Sequence, residues 1–157
     1  MSVAVFAGSF DPVTLGHLNV IERAAALFDR LYVCTTPNGE KHGMFTPQQR
    51  LDMLRLSTAH LPNVTAEEWP GLLTDYFKAR GANVLVRGVR SATAFDAEYA
   101  LAQIYRSTCP DFEMVLLPAD PSLMHVSSTY AREMIKYKQP LSLCLPKPAA
   151  EYIERMV

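Results

Sequence analysis

Apolar positions recur along this chain in alternating strand-like and helix-like stretches. Ser2–Ala7 is a short apolar run ending at Gly8, the pattern of a buried strand. After the Gly8–Gly16 loop, Leu18, Ile21, Ala25 and Phe28 fall at helical spacing. Arg30–Thr36 reads as a second strand and Pro37–Gly43 as a loop. Thr46-Pro47-Gln48-Gln49 then opens a helix, with Thr46 as N-cap, Pro47 at the first helical position and Gln49 completing a capping box. That helix runs to about His60. Asn63–Glu67 predicts a third strand, Leu72–Arg80 a helix closed by Gly81, and Asn83–Arg87 a β-branched fourth strand. Ala94–Thr108 follows as a helix and Phe112–Leu117 as a fifth strand. Ser127–Lys138 is a helix with a hydroxyl-rich start, and Pro148–Met156 is the last helix.

Strands alternating with helices imply βαβ units and a parallel sheet. Right-handed crossovers then predict an α/β, doubly wound fold of five parallel strands, with 1–157 as a single domain. Ligands of such sheets bind beyond the carboxyl ends of the strands, where the strand order reverses. The loops after strands one, four and five are therefore the ones expected to carry chemistry.

Composition narrows the classes. With 49% apolar and 20% charged residues, the 157-residue chain is that of an ordered globular protein. Fifteen basic against sixteen acidic residues argue against bulk nucleic-acid binding. The stretch from Lys78 to Arg90 has four basic residues and no acidic one, which charge alone leaves open to reading as a solvated face. Cys34, Cys109 and Cys144 are odd in number and show no CxxC spacing, so neither a disulfide nor a zinc site is expected. A reducing cytoplasm fits. No signal-peptide pattern is present, and no apolar run approaches the ~18 residues of a membrane span. The four histidines lack metal-ligand spacing.

The loop after strand one reads Gly8-Ser9-Phe10-Asp11-Pro12-Val13-Thr14-Leu15-Gly16-His17. It is neither GxGxxG nor a P-loop. It has the parts of an anion site, with a glycine, a hydroxyl and a helix start whose amides and dipole favour phosphate. It also reads as a glycine-bracketed turn with an incidental histidine. Arg87-Gly88-Val89-Arg90 puts two forked cations at a strand exit, suited to phosphate or simply to solvent. His125-Val126-Ser127-Ser128-Thr129 offers three hydroxyls at one helix start, where capping needs only one. Lys41, beside His42, lies at the same sheet edge.

These segments together resemble the phosphopantetheine adenylyltransferases, of the HxGH nucleotidyltransferase superfamily. Gly8–His17 is similar to the family's [ST]FDPxTxGH loop, Arg87–Arg90 to its RGLR motif, and Val126–Thr129 to its ISST/ISSS motif. Lys41 with Met44-Phe45-Thr46 is similar to its K-x-x-M-F-T segment. The resemblance spans essentially the whole chain and implies a Rossmann-like nucleotidyltransferase fold. The implied reaction is adenylyl transfer from ATP to 4′-phosphopantetheine, giving 3′-dephospho-coenzyme A and pyrophosphate. It further implies Mg²⁺ carried mainly by ATP phosphates, a homo-hexamer, and coenzyme A as feedback inhibitor. His17, Lys41 and Arg90 would be catalytic. Ser9, Lys41, Leu73 and Arg87 would bind phosphopantetheine. Ser9, Phe10, His17, Gly88, Val89, Arg90, Glu98, Leu123, Met124, His125, Val126, Ser127, Ser128 and Thr129 would bind ATP. The chain departs from common members at His42, Ala94, Ala97 and Leu123, around the adenine and pantetheine pockets.

Overall fold

A computed structural model describes residues 1–37 and 43–156. Among the described residues, five strands form one sheet: β1 (Val3–Gly8), β2 (Arg30–Thr35), β3 (Val64–Glu68), β4 (Val84–Val89) and β5 (Glu113–Pro118). Their order is β3-β2-β1-β4-β5, and every pairing is parallel. Six helices accompany them: α1 (Leu15–Leu27), α2 (Pro47–Thr58), α3 (Leu73–Arg80), α4 (Ala92–Thr108), α5 (Ser128–Lys136) and α6 (Lys147–Arg155). Short 3-10 turns occupy Pro121–Leu123 and Leu141–Leu143. The expected α/β, five-stranded parallel architecture is the one observed.

The sheet is covered on both faces, and strand periodicity sorts its side chains between two cores. Ala4 and Phe6 of β1, Leu31 and Val33 of β2, and Val86 of β4 pack into one cluster with Ile21, Met53, Leu54, Ala131 and Ile153. Val5, Ala7, Cys34 and Leu85 point the other way, to Tyr76, Phe77 and Phe112. Successive strand residues face opposite sides, so runs that look uniformly apolar in sequence feed both layers. Helices α1, α2, α5 and α6 lie on the first face, and α3 with α4 on the second. Helix α4 sits loosely: none of its 17 residues is fully buried. Among the described residues, no helix is long and apolar enough to cross a membrane.

Predicted boundaries shift by a few residues, each for a local reason. Phe28 leaves α1 because it is the C-cap, with extended backbone. Helix α4 starts at Ala92 rather than Ala94 because Ser91 caps it, its Oγ accepting from the Ala94 N–H at 3.1 Å. Gly88 and Val89 continue β4, in register with Leu117 and Pro118. Lys138 falls outside α5, with φ of 53°. Thr46 and Gln49 form the expected reciprocal box, and Gly81 takes the left-handed C-cap conformation at φ 65°.

Candidate active site

The strand order reverses between β1 and β4, so their carboxyl ends diverge into a cleft of about 380 Å³. The first loop supplies Gly8, Ser9, Phe10, Thr14, Gly16 and His17 to its wall. The β4 exit supplies Arg87, Gly88 and Arg90. Leu123, Val126, Ser127 and Ser128 come from the segment entering α5. Three regions far apart in sequence thus converge at the switch point. Asn19, Ala119 and Asp120, which carry no motif signal in the sequence, also line the cleft. Asn19 comes from α1, and Ala119 and Asp120 from the exit of β5, where Arg23 of α1 donates to the Pro118 carbonyl at 2.7 Å. Val89, Glu98, Met124, His125 and Thr129 are not among the lining residues, and neither is Leu73, which packs against the second core. Lys41 and His42 lie outside the described residues.

His17 is placed by the helix it begins. Thr14 is the N-cap of α1, and its Oγ1 accepts from the His17 N–H. The imidazole reaches back, and its Nδ1 accepts the Thr14 N–H at 3.0 Å. Histidine therefore stands at N3 of a capping box, where Gln49 stands in α2. His17 is a first-turn helix residue, not a residue at a loop edge. The Phe10 ring meets the imidazole edge-on at 4.9 Å. Burial, then the nearby Arg90 and Arg87, push the His17 pKa down to about 4. The side chain is thus neutral at pH 7. With Nδ1 accepting, the proton must sit on Nε2, which has no protein partner among the described residues. The cap thereby selects the tautomer that turns a free N–H donor outward.

Two measurable consequences follow. Long-range ¹H–¹⁵N spectra of the protein should show His17 as the Nε2–H tautomer at pH 7, with no titration above about pH 5. An Nδ1–H signal, or a pKa near the ordinary 6.5, would overturn the assignment. The unfolded chain takes up this proton first, so the residue's stabilising contribution is intact above pH 6.5 and declines as pH falls towards 4.

Phe10 and Asp11 of the motif are used largely within the protein. Phe10 is 1% exposed and adopts φ of 46°, and its ring buttresses His17 from the cleft wall. Asp11 is 2% exposed. Its carboxylate accepts the Met44 and Phe45 N–H groups at 2.9 and 3.0 Å, between Arg50 and Arg132 at 4.0 and 3.8 Å. A Cβ on Gly43 would come within 2.8 Å of that carboxylate, so this close approach requires glycine. The hydroxyls before α5 are similarly used. Ser127 caps the helix, Ser128 donates to the Pro12 carbonyl at 2.9 Å, and Thr129 accepts from Arg132. At these two helix starts, backbone amides remain for an anion. The Leu15 amide donates to the Cys144 carbonyl, but those of Gly16, Ser128 and Thr129 have no protein acceptor among the described residues.

The arginines differ. Arg90 uses Nη1 on the Met124 and Val126 carbonyls at 2.9 and 3.4 Å, tying β4 to the α5 segment. Its Nε and Nη2 have no protein partner among the described residues. Arg87 makes a two-pronged pair with Glu98 and a long contact to the Ala7 carbonyl. The remaining basic residues of that stretch split: Arg80 is held by Glu67, whereas Lys78 is exposed. No group of three acidic, histidine or cysteine side chains is gathered for a metal among the described residues.

The cleft therefore offers fixed amides, a neutral N–H donor and two guanidinium groups, a set suited to several phosphate oxygens at once. Comparison with known proteins agrees in kind. The cytidylyltransferase-like family profile matches residues 5–134. A phosphopantetheine adenylyltransferase of Levilactobacillus brevis is 39% identical over 151 residues, 96% of this chain and 94% of the relative. One of Rhodopirellula baltica is 42% identical over 133 residues, 85% of this chain and 74% of the relative. One of a Synechococcus species is 40% identical over 146 residues, 93% of this chain and 92% of the relative. With relatives this similar over nearly its full length, and with its motifs converging on one phosphate-suited cleft, the chain belongs to the phosphopantetheine adenylyltransferase family.

Proposed function

We infer that this chain transfers the adenylyl group of ATP to 4′-phosphopantetheine, giving 3′-dephospho-coenzyme A and pyrophosphate, a step of coenzyme A synthesis. The observation that carries the reading is the convergence of Ser9, His17, Arg87 and Arg90 on the β1/β4 cleft of a chain in this family. The nucleophile is a phosphate oxygen with a second pKa of about 6, already largely dianionic at neutral pH. No general base and no covalent enzyme intermediate is needed. Catalysis consists of bringing two anions together and stabilising charge at the α-phosphorus.

Each residue takes a part in this. Ser9 and the free Gly16 amide meet the reacting phosphates at the start of α1. His17 donates Nε2–H to charge that grows in the transition state. Arg90 holds the triphosphate through Nε and Nη2, and Arg87 holds the acceptor phosphate, with Lys41 and Leu73 assigned to the same substrate. The amide of Ser128 faces the nucleotide, beside Leu123 and Val126. The cleft has no carboxylate cage among the described residues, which suits Mg²⁺ carried by ATP. When bound, that ion would neutralise charge on the triphosphate and departing pyrophosphate.

Pyrophosphate release from ATP, Mg²⁺ and phosphopantetheine tests the reaction. Intersecting initial-rate lines are expected, because both substrates occupy the cleft together. Parallel lines would sink direct transfer. Greater turnover with CTP, nicotinate mononucleotide or glycerol phosphate would move the activity elsewhere in the superfamily.

A hexamer in a reducing cytoplasm, with coenzyme A as feedback inhibitor, is proposed on the same family grounds. The free cysteines support the compartment. Phe95, Tyr99 and Ile104, exposed on loosely seated α4, support an association face. Light scattering should give about six times the 17.5 kDa chain, and a monomer would refute the assembly.

A further inference from the structure

We propose that Arg23 is a positioning residue for the nucleotide: it clamps the chain leaving β5 to α1 and so fixes one wall of the cleft. Its Nη1 donates to the Pro118 carbonyl at 2.7 Å and to Asn19 Oδ1 at 3.2 Å. Pro118 ends β5, and Ala119, Asp120 and Leu123 after it line the cleft, as does Asn19. Arg23 is not among the lining residues, so it acts through them.

That wall has little else to hold it. No residue from 118 to 125 is fully buried, and Leu123 packs only partly against the first core. The sheet ladder ends where the Ala119 N–H donates to the Val89 carbonyl at 2.8 Å. Beyond it, Asp120 accepts from Ser122, and the backbone bonds of Leu123 and Met124 return to Asp120 and Pro121, all within the segment. The next side-chain ties to the rest of the protein are those of Arg90 on the Met124 and Val126 carbonyls. Two arginines therefore hold the two ends, and Arg23, outside the cleft, holds its end without competing for a ligand. The clamp also sets Asn19. A guanidinium only donates, so Asn19 turns Oδ1 to Arg23, and its NH₂ group is left without a protein partner among the described residues. Without Arg23, an exposed segment and a freely turning amide would have to be ordered at each binding event, which weakens affinity. The effect falls on the nucleotide because of the two sheet faces. Leu123 packs with α1 and α5 on the first face, whereas Leu73 packs on the second and Arg87 turns to Glu98 of α4 there.

The inference rests on reading this wall as the nucleotide's, so the experiment separates the two. Calorimetric titration with ATP needs no turnover, and steady-state constants would be measured beside it. Arg23→Met keeps the aliphatic stem and removes the donors, whereas Arg23→Lys puts a compact ammonium in place of the fork. Arg23→Met should raise Kd and KM for ATP about tenfold, and leave kcat and KM for phosphopantetheine within about twofold. Its Tm should stay within a few degrees of wild type, and Arg23→Lys should recover part of the ATP affinity. Should Arg23→Met not fold, Arg23→Lys carries the same readout. Weakened ATP binding in the folded variants supports the clamp whichever acceptor the enzyme uses. Unchanged ATP binding would overturn the proposal while leaving the nucleotide reading in place. An equal rise in both KM values with a lowered Tm would make Arg23 a general structural residue and overturn it too. A selective rise in KM for phosphopantetheine would give the wall to the acceptor. A wild-type protein that binds no ATP would remove the nucleotide reading, and this proposal with it.

Discussion

His17→Ala is expected to lower kcat by about 10²–10³, with smaller changes in either KM. The side chain presents a neutral Nε2–H, so it can strengthen its hydrogen bond as charge develops without binding ground-state phosphate as a full cation would. The residue also closes the capping box of α1, and magnitudes separate the two roles. Losing a cap costs about 0.5–2 kcal/mol. In a chain of this size, each kcal/mol shifts Tm by roughly 2–4 °C. The variant should therefore melt a few degrees low and remain folded while turnover collapses. A folded variant with near-normal kcat would remove His17 from the mechanism. One that is unfolded at the assay temperature would make its role structural.

Asp11→Ala should destabilise the protein by about 3–5 kcal/mol, the range for breaking a buried charge cluster by removing one partner. Arg50, 6% exposed, would lose its buried counter-charge, and the Met44 and Phe45 amides would lose their acceptors. Asp11→Asn keeps one carbonyl acceptor but turns an NH₂ towards a donor, so it should fall between Ala and wild type. Chemical denaturation of the three proteins checks the order. Wild-type stability in Asp11→Ala, with kcat lost, would instead make this carboxylate a participant in the chemistry.

These two residues stand six apart in one motif, and spacing alone holds no physical basis for dividing their duties. The spacing of Gly8, Gly16 and His17 marks an anion loop, but Asp11 has the chemistry of a catalytic acid as much as of a buried hub. Its role is set by the amides of residues 44 and 45, which only tertiary folding delivers. The hydroxyls of Ser127, Ser128 and Thr129 are similar. Their number suggests a phosphate nest, but each side chain is used within the protein, leaving neighbouring amides for a ligand.

Alternating periodicity, helix caps and turn residues were sufficient by themselves to determine the element order, the parallel sheet and the loops at the switch point. Those signals are local, since a strand's two-residue rhythm or a Thr-x-x-Gln box depends on near neighbours. The pairing of Arg87 with Glu98, eleven residues away on α4, and the arrival of Asn19 and Asp120 in the cleft were decided only by the tertiary structure. So was the inward turn of Phe10 against His17. Such contacts depend on where separate elements come to rest on the sheet. The same side chain satisfies one-dimensional spacing whether it faces a ligand, a neighbour or solvent, and packing alone selects among them.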